Sequence, residues 1–188
     1  MSSSVIERHP TQLLSEALGA MFPVVGASTA GGVLSRMGPM EWEIAQNRPV
    51  RVTISVDATG VVVALDGPVD SPPAWFFPTL QAIVGLLRLE PNWNSYGSSP
   101  ISLSTAELAL AFLLETVAGS VPPPAVVPTT EGGLQFEWHR NGLDVEIEVL
   151  PSGDIQFLVA DLRSNVQVEG DPRNLLPLQS AIDELADS

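Results

Sequence analysis

From Leu134 to Ala160 the chain reads LQFEWHRNGLDVEIEVLPSGDIQFLVA, with apolar and polar residues in near-strict alternation. A period of two marks a strand that buries one face. Asn141-Gly142 suits a two-residue hairpin turn, which sets Trp138 opposite Val145 and Phe136 opposite Ile147. Pro151-Ser152-Gly153, closed by a left-handed glycine, sets Val149 opposite Ile155 and Ile147 opposite Phe157. Each turn independently selects the register that gathers the apolar residues on one face. The pattern therefore predicts a three-stranded antiparallel meander.

A second alternating run spans Val50 to Leu65. With Asp57 to Gly60 as a loop, Val56 faces Val61, Ile54 faces Val63 and Val52 faces Leu65, which predicts a hairpin. Helical spacing follows. Leu80, Ile83, Val84 and Leu87 form the stripe of a helix from near Pro78 to near Leu89. Ser104 precedes Glu107 by three positions, the capping-box spacing, and opens a second helix. Its run Leu108 to Leu114 is apolar nearly all round, which requires deep burial, and Gly119 ends it. Val121 to Gly133, with four prolines, reads as an extended surface connector. After the meander come a polar bend and a last helix, starting near Asp171 or Pro177 and running to Leu185.

The first residues are less patterned. Thr11 can cap a helix from Gln12 to about Met21, which Pro23 stops. Ala17 to Leu34 is uncharged but interrupted by Gly19, Pro23, Gly26, Gly31 and Gly32, so a short helix running into a loop suits it better than a membrane-interacting segment. The expected fold is α+β. An antiparallel sheet, made of the N-terminal hairpin plus the C-terminal meander, packs against two central helices and a C-terminal helix. Residues 1–48 form a poorly defined helical or flexible segment, and residues 49–188 a single α+β domain.

Charge narrows the partners. The chain carries 22 acidic and 8 basic residues, all of the latter arginine, for a formal charge of −14. Phosphate binding draws its affinity from basic side chains that displace counterions, so nucleic acid and anionic membrane surfaces are poor partners. A basic protein, a cation or a neutral ligand fits better. The absence of cysteine excludes disulfides, thiol nucleophiles and thiolate metal sites, and it is compatible with a cytoplasmic setting. The absence of lysine excludes a phosphate-binding loop of the Walker type. No GxSxG elbow occurs. With His9 and His139 the sole histidines, no local signature marks a catalytic triad.

Two constellations remain. The polar face of the meander places Glu137 opposite Glu146 and His139 opposite Asp144, with Glu148 beside them. Like charges in direct register cost roughly 0.2–1 kcal/mol. Such a face is either simply solvated, or a surface for a cationic partner, or, with three converging ligands, a metal site. The stretch LEPNWNSYGSSPIS offers Asn92, Trp93, Asn94 and Tyr96. Aromatic rings with amides can stack and hydrogen-bond a small ligand. The same residues can instead lock the corner between two helices. Pro91 stops the first, Gly97 supplies a positive φ, the asparagines cap backbone groups, and both rings bury beneath the turn. The corner lock is the favoured reading.

The pattern L-x-x-N-W-N-S-Y-G-S-x-P-I, then an apolar helix, a proline-rich link and EGGLQFEW, resembles an uncharacterised bacterial and phage protein family. Members carry an Asn-Trp-Asp/Asn-x-Tyr-Gly motif and a Gly-Gly…Glu-Trp strand pair. The resemblance spans about Leu86 to Leu158, with Asn94 standing where Asp is common and Ser98 where Ala is common. It implies a bacterial or phage setting and no particular activity.

These features point to a non-enzymatic acidic accessory protein that binds a basic protein partner through Glu137, His139, Asp144, Glu146 and Glu148. It would act as an antitoxin-like inhibitor or an assembly subunit, with no cofactor and no resident metal. The alternative is a small-molecule- or metal-binding enzyme, of which a hydrolase is one form, built on the Trp93/Tyr96 loop and the Glu137/Glu146 face.

Overall fold

The computed structural model describes residues 50–57, 60–67 and 71–187. The expected helix at Gln12 to Met21, the apolar stretch Ala17 to Leu34 and His9 lie outside them. The described residues belong to two compact units that divide between Ser71 and Pro72.

In the first unit β1 (Arg51–Asp57) pairs antiparallel with β2 (Gly60–Asp66). The register is the one the alternation demands: Val56 with Val61, Ile54 with Val63, Val52 with Leu65. Burial along it is uneven. Val52, Ile54 and Val61 are buried, whereas Val56 is exposed.

The second unit places α1 (Phe76–Leu86) and α2 (Leu103–Thr116) before a sheet of β3 (Ala125–Pro128), β4 (Leu134–Arg140), β5 (Leu143–Val149), β6 (Ile155–Asp161) and β7 (Val166–Gly170). Helix α3 (Leu176–Ala186) closes the chain. The five strands are antiparallel and lie in chain order. The fold is thus α+β, as expected, with the hairpin and the larger sheet hydrogen-bonded separately. The meander registers are those expected from the two turns. Asn141 and Gly142 both have positive φ, 53° and 74°, as a turn matched to strand twist requires.

Two segments differ from expectation. The proline-rich connector contributes β3, which pairs Val126 with Phe136 and Ala125 with Glu137. Proline lacks an N–H, and an edge strand tolerates that on its open side. The link is also pinned by the Trp138 indole, which donates to the Pro122 carbonyl at 2.8 Å. The polar bend contributes β7 on the other edge, where Val168 pairs with Val159 and Gly170 with Phe157. A Cβ on Gly170 would lie 2.2 Å from the Phe157 ring. Only glycine lets that ring lie across the strand end.

One sheet face is apolar and covered, the usual solution for an antiparallel sheet. Leu134, Phe136, Trp138, Leu143, Val145, Ile147, Val149, Ile155 and Phe157 are all buried. Helix α2 packs on β4 and β5, α3 on β5 and β6, and α1 beside β3. Ala106, Ala109, Leu110 and Leu113 form the buried side of α2, and Leu178, Ala181, Ile182 and Leu185 that of α3. Helix α1 starts earlier than its stripe suggested, because Trp75 and Phe76 bury fully ahead of Pro78, and the Trp75 indole donates to the Ala118 carbonyl at 3.1 Å. Leu87 falls at the C-cap and is only half-buried. The cap of α2 is Ser102, not Ser104: its Oγ accepts from the Thr105 N–H at 3.0 Å. The helix ends at Thr116, before Gly119.

Candidate functional site

The second sheet face carries the acids. Cross-strand register sets Glu137 against Glu146 and His139 against Asp144, as the alternation required. One row of this face runs Ala125, Glu137, Glu146, Leu158, Glu169 across all five strands. A second runs Val127, Gln135, Glu148, Gln156. Because α2 and α3 cover the opposite face, these side chains meet solvent at least in part.

Local partners moderate the repulsion. His139 sits between two carboxylates, with Nδ1 3.0 Å from Asp144 Oδ1 and Nε2 3.3 Å from Glu137 Oε2. Hydrogen bonding to Asp144 and then Glu137 raises the imidazole pKa above its ordinary 6.5, since both stabilise the imidazolium. Gln135 donates to Glu146 Oε2 at 2.9 Å.

Beside this cluster lies a groove of about 980 Å³ that includes Gln135, Glu146, Glu148, Asp154, Glu169, Asp171 and Arg173 in its lining. Arg173 pairs with Asp171 through the guanidinium, and that bond holds the Asp171 carboxyl down at about 2. The arginine is thus paired with Asp171 at the solvent-exposed rim of the groove. Glu146, Asp154 and Glu169 accept from neutral donors, namely Gln135, Ser152 and Gln167. The groove thus concentrates negative charge where a guest cation would be desolvated little and attracted from several sides.

Glu137, His139 and Asp144 gather at one end of the face, and Glu146 and Glu148 line the groove. Asp154, Glu169, Asp171 and Arg173 are additions that sequence reasoning missed. For Glu169 the signal was the brief alternation of Val166 and Val168 with Gln167 and Glu169, hidden by taking this stretch as a bend; Asp154, Asp171 and Arg173 lie in connections that carry no such pattern. Among the described residues no group of three or more His, Asp or Glu is arranged to hold a metal ion.

The aromatic loop sits elsewhere and is a braced corner. Asn92 Oδ1 accepts from the Gly97 N–H at 2.7 Å, and Asn94 Oδ1 from Tyr96 N–H at 2.8 Å. The Asn92 N–H reaches the Ser98 carbonyl at 2.7 Å. The Trp93 indole donates to the Ser99 carbonyl at 3.4 Å. Both asparagine side-chain oxygens thus serve the loop backbone. Asn92 and Ser95 adopt φ of 65° and 66°, in the left-handed region. The lock expected from the sequence is present, with one correction. Trp93 is half-buried, but Tyr96 is 93% exposed and covers nothing.

The loop is joined to the sheet by the β3–β4 turn. The Ser99 N–H donates to the Thr130 carbonyl at 2.9 Å. A Cβ on Gly132 would meet the Pro100 carbonyl oxygen at 2.7 Å, and one on Gly133 the Val149 oxygen at 2.7 Å. The Asn-Trp-Asn-Ser-Tyr-Gly and Gly-Gly pieces of the sequence pattern therefore form one structural unit, across a long stretch of chain.

Comparison with protein-family models, curated proteins and solved structures gives no match for this chain. No helix among the described residues is long and apolar enough to cross a membrane.

Proposed function

We propose that this chain is a non-enzymatic acidic interaction protein. It engages a basic protein partner through the carboxylate face of its sheet, in the manner of an antitoxin-like inhibitor or an assembly subunit, in the cytoplasm of a bacterium or in a phage-encoded setting. The observation that carries this reading is the groove in which Glu146, Asp154 and Glu169 accept from the neutral donors Gln135, Ser152 and Gln167, beside Glu148. A fold selected for stability alone gains nothing from carboxylates held in direct register, which cost roughly 0.2–1 kcal/mol per pair. A partner supplying arginine or lysine converts that cost into affinity, and its association rate rises through long-range attraction.

Pull-downs against the products of adjacent genes, repeated across salt concentrations, test this. The expected partner is basic, binds more weakly as salt rises, and is lost to Glu146→Arg. A partner indifferent to both ionic strength and that reversal refutes the reading. The catalytic alternative has less support, because the side-chain oxygens of Asn92 and Asn94 in the Trp93/Tyr96 loop accept from its own backbone.

A further inference from the structure

We infer that β7 is a self-pairing edge: two copies of this chain join their sheets by antiparallel addition of one β7 to the other, about a two-fold axis at Val168. Self-pairing needs no basic partner, so it stands or falls apart from the reading above.

The two edges of the sheet are unlike. At one, β3 follows the run Pro122 to Pro124, ends in Pro128 and has α1 beside it. Proline and a covering helix both close an edge to further strands. At the other, β7 pairs residue for residue with β6, without a bulge, and holds no proline. Helices α2 and α3 pack on β4, β5 and β6, and Val166, Gln167 and Glu169 of β7 are exposed. Such an edge offers a row of backbone N–H and C=O groups to an incoming strand.

The side chains of β7 select the strand that fits. Val166, Val168 and Gly170 share the helix-covered face with Phe157 and Val159, whereas Gln167 and Glu169 lie on the carboxylate face. A second copy must keep like faces together, because a slip of one residue sets its apolar side among the carboxylates. The axis can then pass through Gln167, Val168 or Glu169. At Glu169 two carboxylates meet directly, a destabilising pair. At Gln167 the pairing runs into Asn165, whose φ of 55° belongs to the turn. At Val168 all five residues of the strand pair. Valine meets valine on the axis, and each Gln167 amide meets Glu169 of the second copy, a donor against an acceptor. Val166, 52% exposed, meets Gly170. The Phe157 ring lies across that glycine, so the exposed valine gains an aromatic neighbour. The strand is thus complementary to its own copy in shape and in polarity, as a two-fold interface requires. Glu169 and Gly170 also line the groove, so the grooves of both copies border the axis.

The chain contains no cysteine, so one introduced thiol reports the register. Under mild oxidation Val168→Cys is expected to cross-link at least about tenfold faster than Ser152→Cys, an exposed turn position that reports random collision. Gln167→Cys alone is expected to react at the collision rate, because its two copies lie diagonally about 7–8 Å apart, and to cross-link when mixed with Glu169→Cys. Sedimentation velocity of the wild-type full chain is expected to show a dimer that grows with concentration and with added salt, which screens the repulsion between two chains of charge −14. Binding of a basic partner weakens with salt, so the two associations are separable. Val168→Lys sets two ammonium groups on the axis and is expected to abolish the dimer. Val166→Lys, at a more exposed position, is expected to weaken it and serves where Val168→Lys unfolds the chain. A wild-type chain that stays monomeric, Val168→Cys cross-linking at the Ser152→Cys rate, or a dimer that survives both lysine variants overturns the inference.

Discussion

Single residues set the behaviour of the braced loop and of the histidine on the acidic face. Ser95 holds φ of 66°, a region costly for any residue with a Cβ. Ser95→Gly removes that penalty and is expected to stabilise the protein by about 0.5–1 kcal/mol in urea unfolding. Asn92 holds a similar φ but also accepts from the Gly97 N–H. Asn92→Ala loses the bond and retains the strain, and is expected to cost about 1–3 kcal/mol. His139 titrates above 6.5, because Asp144 and Glu137 stabilise its protonated form. Its folded pKa is raised, so its contribution to stability is complete below about 6.5 and is lost as pH rises through the folded value. An NMR titration of the imidazole resonances checks this, and Asp144→Asn is expected to lower the midpoint more than Glu137→Gln. The same proton adds a positive charge to the face. Affinity for a cationic partner is therefore expected to rise as pH rises through this value, and His139→Gln removes that dependence.

At the scale of elements, turns and edges decided what periodicity alone left open. Asn141-Gly142 and Gly153 announce their turns through residue types that tolerate positive φ, and both registers follow. The strands β3 and β7 carry no comparable signal. Each is short, β3 ends in proline and β7 in glycine, and each owes its pairing to the neighbour already formed. Gly170 tests that account. Gly170→Ala drives a methyl group into the Phe157 ring and is expected to cost about 1–3 kcal/mol, measured by thermal or urea unfolding. The cap of α2 shows a similar ambiguity. Ser102 and Ser104 both lie ahead of the apolar run, and the capping-box spacing favoured Ser104. The backbone turns at Ser102, whose φ of −84° and ψ of 154° leave it outside the helix with its hydroxyl on Thr105. Ser102→Ala is expected to cost about 1 kcal/mol and Ser104→Ala much less.

For the whole molecule, charge is the governing quantity. A formal charge of −14 opposes compaction through self-repulsion, and the carboxylate rows concentrate part of it on one sheet face. Added salt screens this within roughly 10 Å at 0.1 M. The melting temperature is expected to rise as salt increases from about 0.01 M to about 0.15 M, the range over which that screening length shortens most.

The meander, its registers, the hairpin and the two faces of the sheet were legible in the chain itself, because period-two alternation and turn chemistry are local properties. The helical stripes were legible for the same reason, with ends displaced by up to three residues. Three things required the tertiary structure. Edge strands pair through backbone groups that leave little trace in side-chain pattern. The groove draws Glu146, Asp154, Glu169 and Asp171 from two strands and two connections, and no sequence spacing encodes their convergence. The exposure of Tyr96 depends on which neighbours fold over it. Trp93, three residues away, turns partly inward, while Tyr96 is left in solvent by a loop whose polar side chains are spent on its own backbone.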